Sequence, residues 1–278
     1  MSMQDYHIHP NYSLDAEGTL SDFCEAALLQ GIEEIAFTTH LDTDKVAEDC
    51  VVSVGGKLVD VQSPIWFEDY EKEIRSVAEK YNDRGLSVLV GAEVDIYPEV
   101  VENIPSTFYD VDWDIVIGSV HLVDHLAIST GDGAHQVFSK YNAEDLGNVY
   151  FMTLIDTIGT SLIDILGHLD LYRRYGESFF GEEIHDIWRP YINELVGKMK
   201  KHRVGFEINT SSWRKGQNEP MPSTELLNAL CKNGIDTVTL GSDAHRPQEV
   251  GYGIPRALHL LENNCSITPS KYRKRKKM

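Results

Sequence analysis

Short apolar runs and longer amphipathic segments alternate along the chain, which has 278 residues. Continuous runs rich in Val, Ile and Leu indicate strands that are buried on both faces, whereas a spacing of about 3.6 residues indicates an amphipathic helix. The runs predict seven strands, at about residues 4–8, 32–38, 86–94, 114–121, 162–168, 204–209 and 237–245.

Helices are predicted between these strands. A capping pattern at residues 19–22 begins the first one, and Gly31 closes it. Later helices are expected at about residues 66–84, 142–159, 185–202, 222–232 and 255–262, with a short helical segment after Pro98. Residues 42–63 are a polar insertion expected to cover one end of the domain, and residues 124–141 are expected to form a loop.

The order of the elements indicates a parallel sheet, because parallel neighbours need a helical crossover between them. Polar residues follow nearly every strand, which favours a closed barrel with its site at the C-terminal ends of the strands. An open doubly wound sheet is the alternative, but its site residues gather at a single switch point. We therefore expect a single distorted (β/α)7 barrel over residues 1–264 and a disordered basic tail over residues 265–278.

Charge is distributed very unevenly along the chain. The net charge is −19, yet six of the last eight residues are Lys or Arg, so residues 1–270 carry about −25. A body with this charge repels nucleic acid, and we expect no nucleic-acid partner. An anionic substrate would need local arginines or metal ions in order to bind.

Other features of the composition bear on location. No apolar run is long enough to span a bilayer, and the residues before His7 leave no room for a secretory signal, so we expect a cytoplasmic protein with no membrane partner. The four cysteines, Cys24, Cys50, Cys231 and Cys265, are scattered without metal-binding spacing. This suits a reducing compartment in which they fill the core as thiols.

Candidate metal ligands stand at the ends of the predicted strands. His7 and His9 project from the same face of the first strand and could hold an ion between them. Six of the eleven histidines occupy such strand ends. A single histidine there is more often a hydrogen-bonded rim residue than a ligand, but the repetition favours a metal cluster. The full candidate set is His7, His9, Asp15, His40, Glu93, His121, His168, Asp243 and His245.

This mixture of imidazole and carboxylate groups suits Zn, Mn or Fe(II), and it contains no thiolate. Nine ligands are too many for one ion, so we expect two or three divalent ions with Glu93 as a bridge. Two other kinds of site are less well supported by the sequence. Ser242 lacks the glycine that completes a nucleophile elbow, and Gly55 and Gly56 lack the strand–turn–helix context of a nucleotide-binding loop.

The sequence resembles the PHP (polymerase and histidinol phosphatase) family of metal-dependent phosphoesterases, in particular its histidinol-phosphatase branch. Matching motifs run from residue 7 to residue 245: His7-Ile8-His9 with Asp15, Thr39-His40, Gly91-Ala92-Glu93, Gly118-Ser119-Val120-His121, Gly167-His168, and Gly241-Ser242-Asp243-Ala244-His245. The branch is also similar at residues 170–174 and 209–216, which contain arginines.

The resemblance implies a (β/α)7 barrel with three metal sites. These sites would be formed by His7, His9, Glu93 and Asp243, by Glu93, His121 and His168, and by Asp15, His40 and His245. Several relatives carry a histidine at the position of Asp15, so the third site is the one where this chain departs from the pattern. Asp15, His245 and Arg214 are candidate catalytic residues, and Arg173 and Arg214 are candidate phosphate-binding residues.

The implied activity is a phosphomonoesterase that hydrolyses L-histidinol phosphate to L-histidinol and phosphate in histidine biosynthesis. Two alternatives remain open: a PHP phosphoesterase for another phosphomonoester, such as a nucleotide or sugar phosphate, and a non-catalytic metal-binding PHP module. The sequence leaves open the metal, the oligomeric state, the general acid and the residues that recognise the imidazole and ammonium groups.

Overall fold

Seven parallel strands form one sheet in a computed structural model that describes residues 3–47 and 50–278. The strands are β1 (Gln4–Ile8), β2 (Glu34–Leu41), β3 (Ser87–Asp95), β4 (Ile115–Ser119), β5 (Ile165–Leu166), β6 (Gly205–Asn209) and β7 (Val238–Gly241). Each strand pairs with the next one along the chain. The strands thus follow chain order around the sheet.

The two edges of this sheet meet just beyond β7. The backbone N–H of His9 donates to the carbonyl oxygen of Ala244 at 2.8 Å, and the N–H of Ala244 donates to His7 at 3.2 Å. The prediction of a single (β/α)7 barrel is confirmed. Because all strands run in the same direction, their C-terminal ends form one face of the barrel.

Helices connect the strands of the barrel. They are α1 (Leu20–Leu29), α2 (Ile65–Asn82), α3 (Val100–Asn103), α4 (Gly131–Phe138), α5 (Ala143–Ile158), α6 (Arg173–Phe180), α7 (Ile192–His202), α8 (Ser211–Arg214), α9 (Thr224–Lys232) and α10 (Ile254–Cys265). The predicted cap of α1 is present, since the Thr19 hydroxyl accepts from the N–H of Asp22 while the Asp22 carboxylate accepts from the N–H of Thr19. None of the described helices is long and apolar enough to cross a membrane.

Two local predictions are wrong. Residues 124–141 are not a plain loop, because they contain α4 and part of a short hairpin, Leu122–Val123 with Leu126–Ala127. The Thr130 hydroxyl caps α4 by accepting from the N–H of Gly133, a signal that the polar composition of the segment obscured.

The helix expected over residues 185–202 begins only at Ile192, after a 3-10 turn over Arg189–Tyr191 that contains Pro190.

The expectation of a disordered tail is also wrong. Tyr272 is 3% exposed and packs inside the N-terminal end of the barrel with Tyr6, Ala36, Leu89, Ile115 and Ile165. The basic residues around it pair with acidic residues near the starts of the strands: Arg273 with Glu34, Arg275 with Asp164, and Lys277 with Asp236. The charge of the tail, considered alone, suggested a solvated end, but its partners come from distant parts of the chain.

The cysteines differ from expectation as well. Cys231 at the end of α9 and Cys265 at the end of α10 form a disulfide, so these two residues are not free core thiols. Cys24 is a buried thiol, and Cys50 is a partly buried one. Scattered spacing could not reveal the pair, because the packing of these two helices against each other brings together residues that are 34 positions apart.

Candidate metal centre

The carboxylate of Glu93 lies at the centre of a group of histidines on the C-terminal face of the barrel. Glu93 is 1% exposed and belongs to the last part of β3. Five histidines place a ring nitrogen 3.0–3.5 Å from one of its two oxygens: His7, His9, His40, His121 and His168. These residues come from four other strand ends, which only the closed barrel brings together.

Asp243 and His245 complete the group from the loop after β7. Asp243 has a left-handed backbone conformation, with φ of +54°, and its Oδ1 lies 3.3 Å from His9 Nε2 and 3.6 Å from His245 Nδ1. Asp15 lies on the solvent side, where its Oδ2 is 3.0 Å from His245 Nε2 and its Oδ1 is 3.8 Å from His40 Nε2. All nine residues singled out in the sequence therefore lie in one cluster.

Several ligand-type atoms in this cluster are buried and have no hydrogen-bond partner among the described residues. They include His7 Nε2, His9 Nε2, His40 Nδ1 and Glu93 Oε2. Groups whose ligand atoms lie within 4.8 Å of one another include His7, His9 and Asp243; His40, Glu93 and His121; and His9, His40 and His245. Divalent cations would satisfy these atoms, and the donor set of imidazole and carboxylate suits Zn, Mn or Fe. The residues present fit such ions.

The local electrostatics keep Glu93 ionised. Burial alone would raise the pKa of Glu93, but the neighbouring imidazoles of His7, His121, His168 and His40 hold that pKa well below its usual value. A carboxylate that remains charged at the centre of the cluster is what a bridging ligand requires.

Three acidic residues near the cluster were missed in the sequence. Glu207 on β6 is fully buried and its Oε1 lies 2.7 Å from His7 Nδ1. Asp42 and Asp95 lie beside His121, where burial raises the pKa of Asp42 to about 6 and that of Asp95 to about 8. Glu207 could have been found, because it interrupts an apolar run in the same way as Glu93 does.

A cavity of about 710 Å³ opens onto the cluster and also contains cationic residues. Its lining includes Arg174, Arg214 and Lys215. Arg174 Nε is buried without a hydrogen-bond partner in the described chain. Burial lowers the pKa of Lys215, and the neighbouring charge of Arg174 lowers it further. An anion between these two side chains would relieve their repulsion and provide the missing acceptor.

Arg173 does not line this cavity, so its expected contact with the substrate is not supported by its position. Its guanidinium donates to Asp170, with Nε 2.6 Å from Oδ2, and to the carbonyl oxygen of Pro220 at 2.6 Å. The side chain of the next residue, Arg174, occupies the cavity instead. Both residues begin α6, where adjacent side chains point in directions about 100° apart, so the motif alone could not distinguish them.

The comparisons with known proteins agree with this geometry. The model of the PHP domain family matches residues 5–211, and the chain belongs to this family. Among curated proteins it is 30% identical over 251 residues to a Deinococcus radiodurans protein named "Probable histidinol-phosphatase", covering 89% of this chain and 88% of that one. It is 26% identical to the histidinol-phosphatase of Lactococcus lactis, covering 94% of this chain and 91% of that one.

A solved structure shares the whole fold. The crystal structure of histidinol phosphate phosphatase from Lactococcus lactis, complexed with zinc, L-histidinol and phosphate, superposes with a TM-score of 0.79 at 22% identity. The match covers 100% of this chain and 99% of that one. The barrel and the C-terminal tail of this chain therefore both lie within the fold that the two structures share.

Proposed function

We propose that this protein is a metal-dependent phosphomonoesterase that hydrolyses L-histidinol phosphate to L-histidinol and phosphate, a step of histidine biosynthesis. The observation that carries the proposal is the cluster of unpartnered imidazole and carboxylate atoms around Glu93, which opens into a cavity containing Arg174 and Lys215. Metal ligands beside an anion-binding surface are what phosphoester hydrolysis requires. The names of the similar full-length proteins supply the substrate.

The nine clustered residues would hold two or three ions. His7, His9, Glu93 and Asp243 would hold the first, Glu93, His121 and His168 the second, and Asp15, His40 and His245 the third; zinc, manganese and iron all suit these donors. When bound, such ions supply Lewis acidity, which makes water a better nucleophile near neutral pH and offsets negative charge on the phosphoryl oxygens.

Arg174 and Lys215 are the proposed phosphate-binding residues of the chain. Arg174 has an unused buried donor, and the charge of Arg174 disfavours the protonated form of Lys215. A phosphate group would accept hydrogen bonds from both side chains and balance their charges. Arg214 lines the same cavity, but two of its nitrogens already donate to carbonyl oxygens of Ser242 and Asp243. Its main proposed role is to hold that loop.

Asp15 and His245 are the proposed proton-transfer pair. Their side chains lie 3.0 Å apart on the solvent side of the cluster, and the Asp15 side chain is 61% exposed. In the two-ion form, in which no ion lies between them, a proton shared by Asp15 and His245 would pass to the departing alcohol oxygen while the phosphorus–oxygen bond breaks. The attacking water loses one proton to solvent, and solvent returns a proton to the pair, so the products are an uncharged hydroxyl group on L-histidinol and inorganic phosphate.

The substrate is a small molecule, and the acidic body of the protein favours a substrate that carries a positive charge in addition to its phosphate. We propose a cytoplasmic location, in which no nucleic acid or membrane takes part. The disulfide between Cys231 and Cys265 is uncommon in a reducing compartment, so thiol titration of protein isolated under alkylating conditions bears on this location.

A substrate panel tests the activity. Phosphate release should be measured with L-histidinol phosphate, a nucleoside monophosphate, a sugar phosphate and 4-nitrophenyl phosphate on the zinc-loaded protein. We expect the highest kcat/KM for L-histidinol phosphate. Preference for a nucleotide or sugar phosphate would support the alternative phosphoesterase, and metal binding without turnover of any substrate would support a non-catalytic module.

A further inference from the structure

Glu207 is a buried carboxylate that contacts the metal centre without belonging to the predicted ligand set. It lies in the middle of β6 and has no solvent exposure. Its Oε1 is 2.7 Å from Nδ1 of His7, and its Oε2 accepts from the backbone N–H of His168 at 3.1 Å and from Nδ2 of Asn209 at 3.1 Å. One carboxylate thus contacts two ligand-bearing segments, at the ends of β1 and β5.

The chemistry of this contact determines which nitrogen of His7 carries the proton. An ionised carboxylate only accepts hydrogen bonds, so Nδ1 must be the protonated nitrogen that faces Glu207. In the metal-loaded protein the other nitrogen, Nε2, would then present its lone pair toward the cluster, where it lies 3.2 Å from Glu93 and has no hydrogen-bond partner among the described residues. A lone pair in this position is what a metal ion binds.

Gly241 leaves the space that Glu207 occupies, whereas Gly167 lies only at ordinary contact distance from that carboxylate. A Cβ atom added to Gly241 would lie 1.9 Å from Glu207 Oε1 and 2.5 Å from Cβ of His7. A Cβ added to Gly167 would lie 3.7 Å from Glu207 Oε2 and 2.4 Å from the Ser119 hydroxyl oxygen. The clash at Gly241 is the more severe, because it involves a carboxylate that is already fixed by three donors.

We infer that Glu207 is a positioning residue that fixes His7 as the Nδ1-protonated tautomer, with Nε2 directed at the metal, and that Gly241 is required in order to leave room for it. A hydrogen-bonded carboxylate behind a ligating histidine fixes the orientation of the ring and strengthens it as a donor. The inference rests on the metal site of the proposed function, and it assigns a role to a residue outside that site.

Replacing Glu207 by glutamine should disturb this arrangement with little change in shape. The amide has one accepting oxygen, whereas Glu207 receives hydrogen bonds at both of its oxygens. In one orientation of the glutamine amide, its N–H₂ group faces Nδ1 of His7 and favours the wrong tautomer. In the other orientation, the N–H₂ group faces the N–H of His168, so a donor is placed against the two donors on that side. We expect Glu207→Gln to weaken zinc binding about 10- to 100-fold.

Glu34 provides a matched control. It is also buried, at 3% exposure, but it lies at the opposite end of the barrel, where it accepts from the Tyr6 hydroxyl and pairs with Arg273. Glu34→Gln should lower the melting temperature and leave zinc affinity within about twofold of wild type. A weakening of zinc binding that is confined to Glu207→Gln separates positioning of His7 from general loss of stability.

The closing experiment combines NMR of the wild-type protein with zinc titration of Glu207→Gln, so its NMR result does not depend on how well that variant folds. Zinc affinity is measured by chelator competition, and the protein labelled with ¹⁵N-histidine is examined by NMR in its zinc-loaded form, with His7→Gln used for assignment. A proton on Nδ1 of His7 and weakened zinc binding in Glu207→Gln are the expected results. Zinc binding with Nδ1 of His7 unprotonated, or wild-type zinc affinity in Glu207→Gln, would overturn the inference. Absence of zinc binding by the wild-type protein would contradict the proposed function itself.

Discussion

Arg214 and Asp243 are joined by a hydrogen bond in which the guanidinium Nη2 of Arg214 donates to the backbone carbonyl oxygen of Asp243 at 2.9 Å. Its Nη1 donates to the carbonyl oxygen of Ser242 at 2.8 Å, and its Nε lies 3.3 Å from Glu249. Asp243 has a left-handed backbone that costs energy in residues other than glycine, so these contacts stabilise a strained residue of the candidate metal centre.

Arg214→Ala should therefore weaken zinc binding as well as turnover. Without the guanidinium, the carbonyl oxygens of Ser242 and of Asp243, a proposed metal ligand, lose their donor, and we expect zinc affinity to fall about 10- to 100-fold. Arg246→Ala is the control, because Arg246 is a nearby half-exposed arginine that pairs with Glu17. Zinc titration of both variants checks this, and an Arg214→Ala protein with wild-type zinc affinity and reduced phosphate binding would instead make Arg214 a phosphate ligand.

Arg174→Ala should impair phosphate capture and leave the metals in place. A charge-assisted hydrogen bond contributes about 1.5–3 kcal/mol, so kcat/KM should fall about 10- to 150-fold, and inhibition by inorganic phosphate should weaken in parallel. Arg174→Lys should recover part of the loss, because a point charge replaces a planar fork. Unchanged phosphate inhibition in Arg174→Ala would show that the side chain only lines the cavity.

Asp15→Asn tests the proton-transfer role by its dependence on the leaving group. An alkyl alcohol leaves poorly without a proton, whereas 4-nitrophenolate is a stable anion that needs little help. We expect kcat for L-histidinol phosphate to fall by about 100-fold or more and kcat for 4-nitrophenyl phosphate to fall much less. Equal losses for both substrates, measured at the same zinc content, would assign Asp15 to metal binding alone.

Tyr272→Ala should destabilise the fold through the end of the barrel opposite the site. The ring fills the interior beside Tyr6, and removing a large buried ring costs about 3–5 kcal/mol in the free energy of unfolding. Lys276→Ala, in the same hairpin, replaces an exposed side chain and should change that free energy by less than about 0.5 kcal/mol. Denaturant unfolding compares the two, and equal stability would show that the tail does not support the barrel.

The sequence predicted most of what depends on strand-end chemistry. Strongly apolar strands interrupted by residues such as Glu93 and His121 identified both the barrel and its site, because parallel strands bring their C-terminal ends together. The sequence was less informative about the direction in which a side chain points. Arg173 and Arg174 are adjacent in the sequence, and only the course of α6 determines which of them lies in the cavity.

The remaining differences between the sequence predictions and the structure involve contacts between residues that are far apart in the chain. The basic tail looked solvated because nothing local could neutralise it, and its partners, such as Asp164 and Glu34, lie more than 100 residues away. The disulfide between Cys231 and Cys265 likewise depends on the packing of two helices. Composition and periodicity describe local preference, and they carry little information about such pairings.

The central claim is that the cluster around Glu93 hydrolyses L-histidinol phosphate by means of bound divalent ions. The most direct measurement is kcat/KM for L-histidinol phosphate with wild type and Glu93→Ala, each first stripped of metal and then reconstituted with zinc. We predict no activity in stripped wild type, recovery on addition of zinc, and no recovery in Glu93→Ala, which lacks the carboxylate at the centre of the cluster. Full activity in the stripped protein, or zinc-dependent activity in Glu93→Ala equal to that of wild type, would contradict the account.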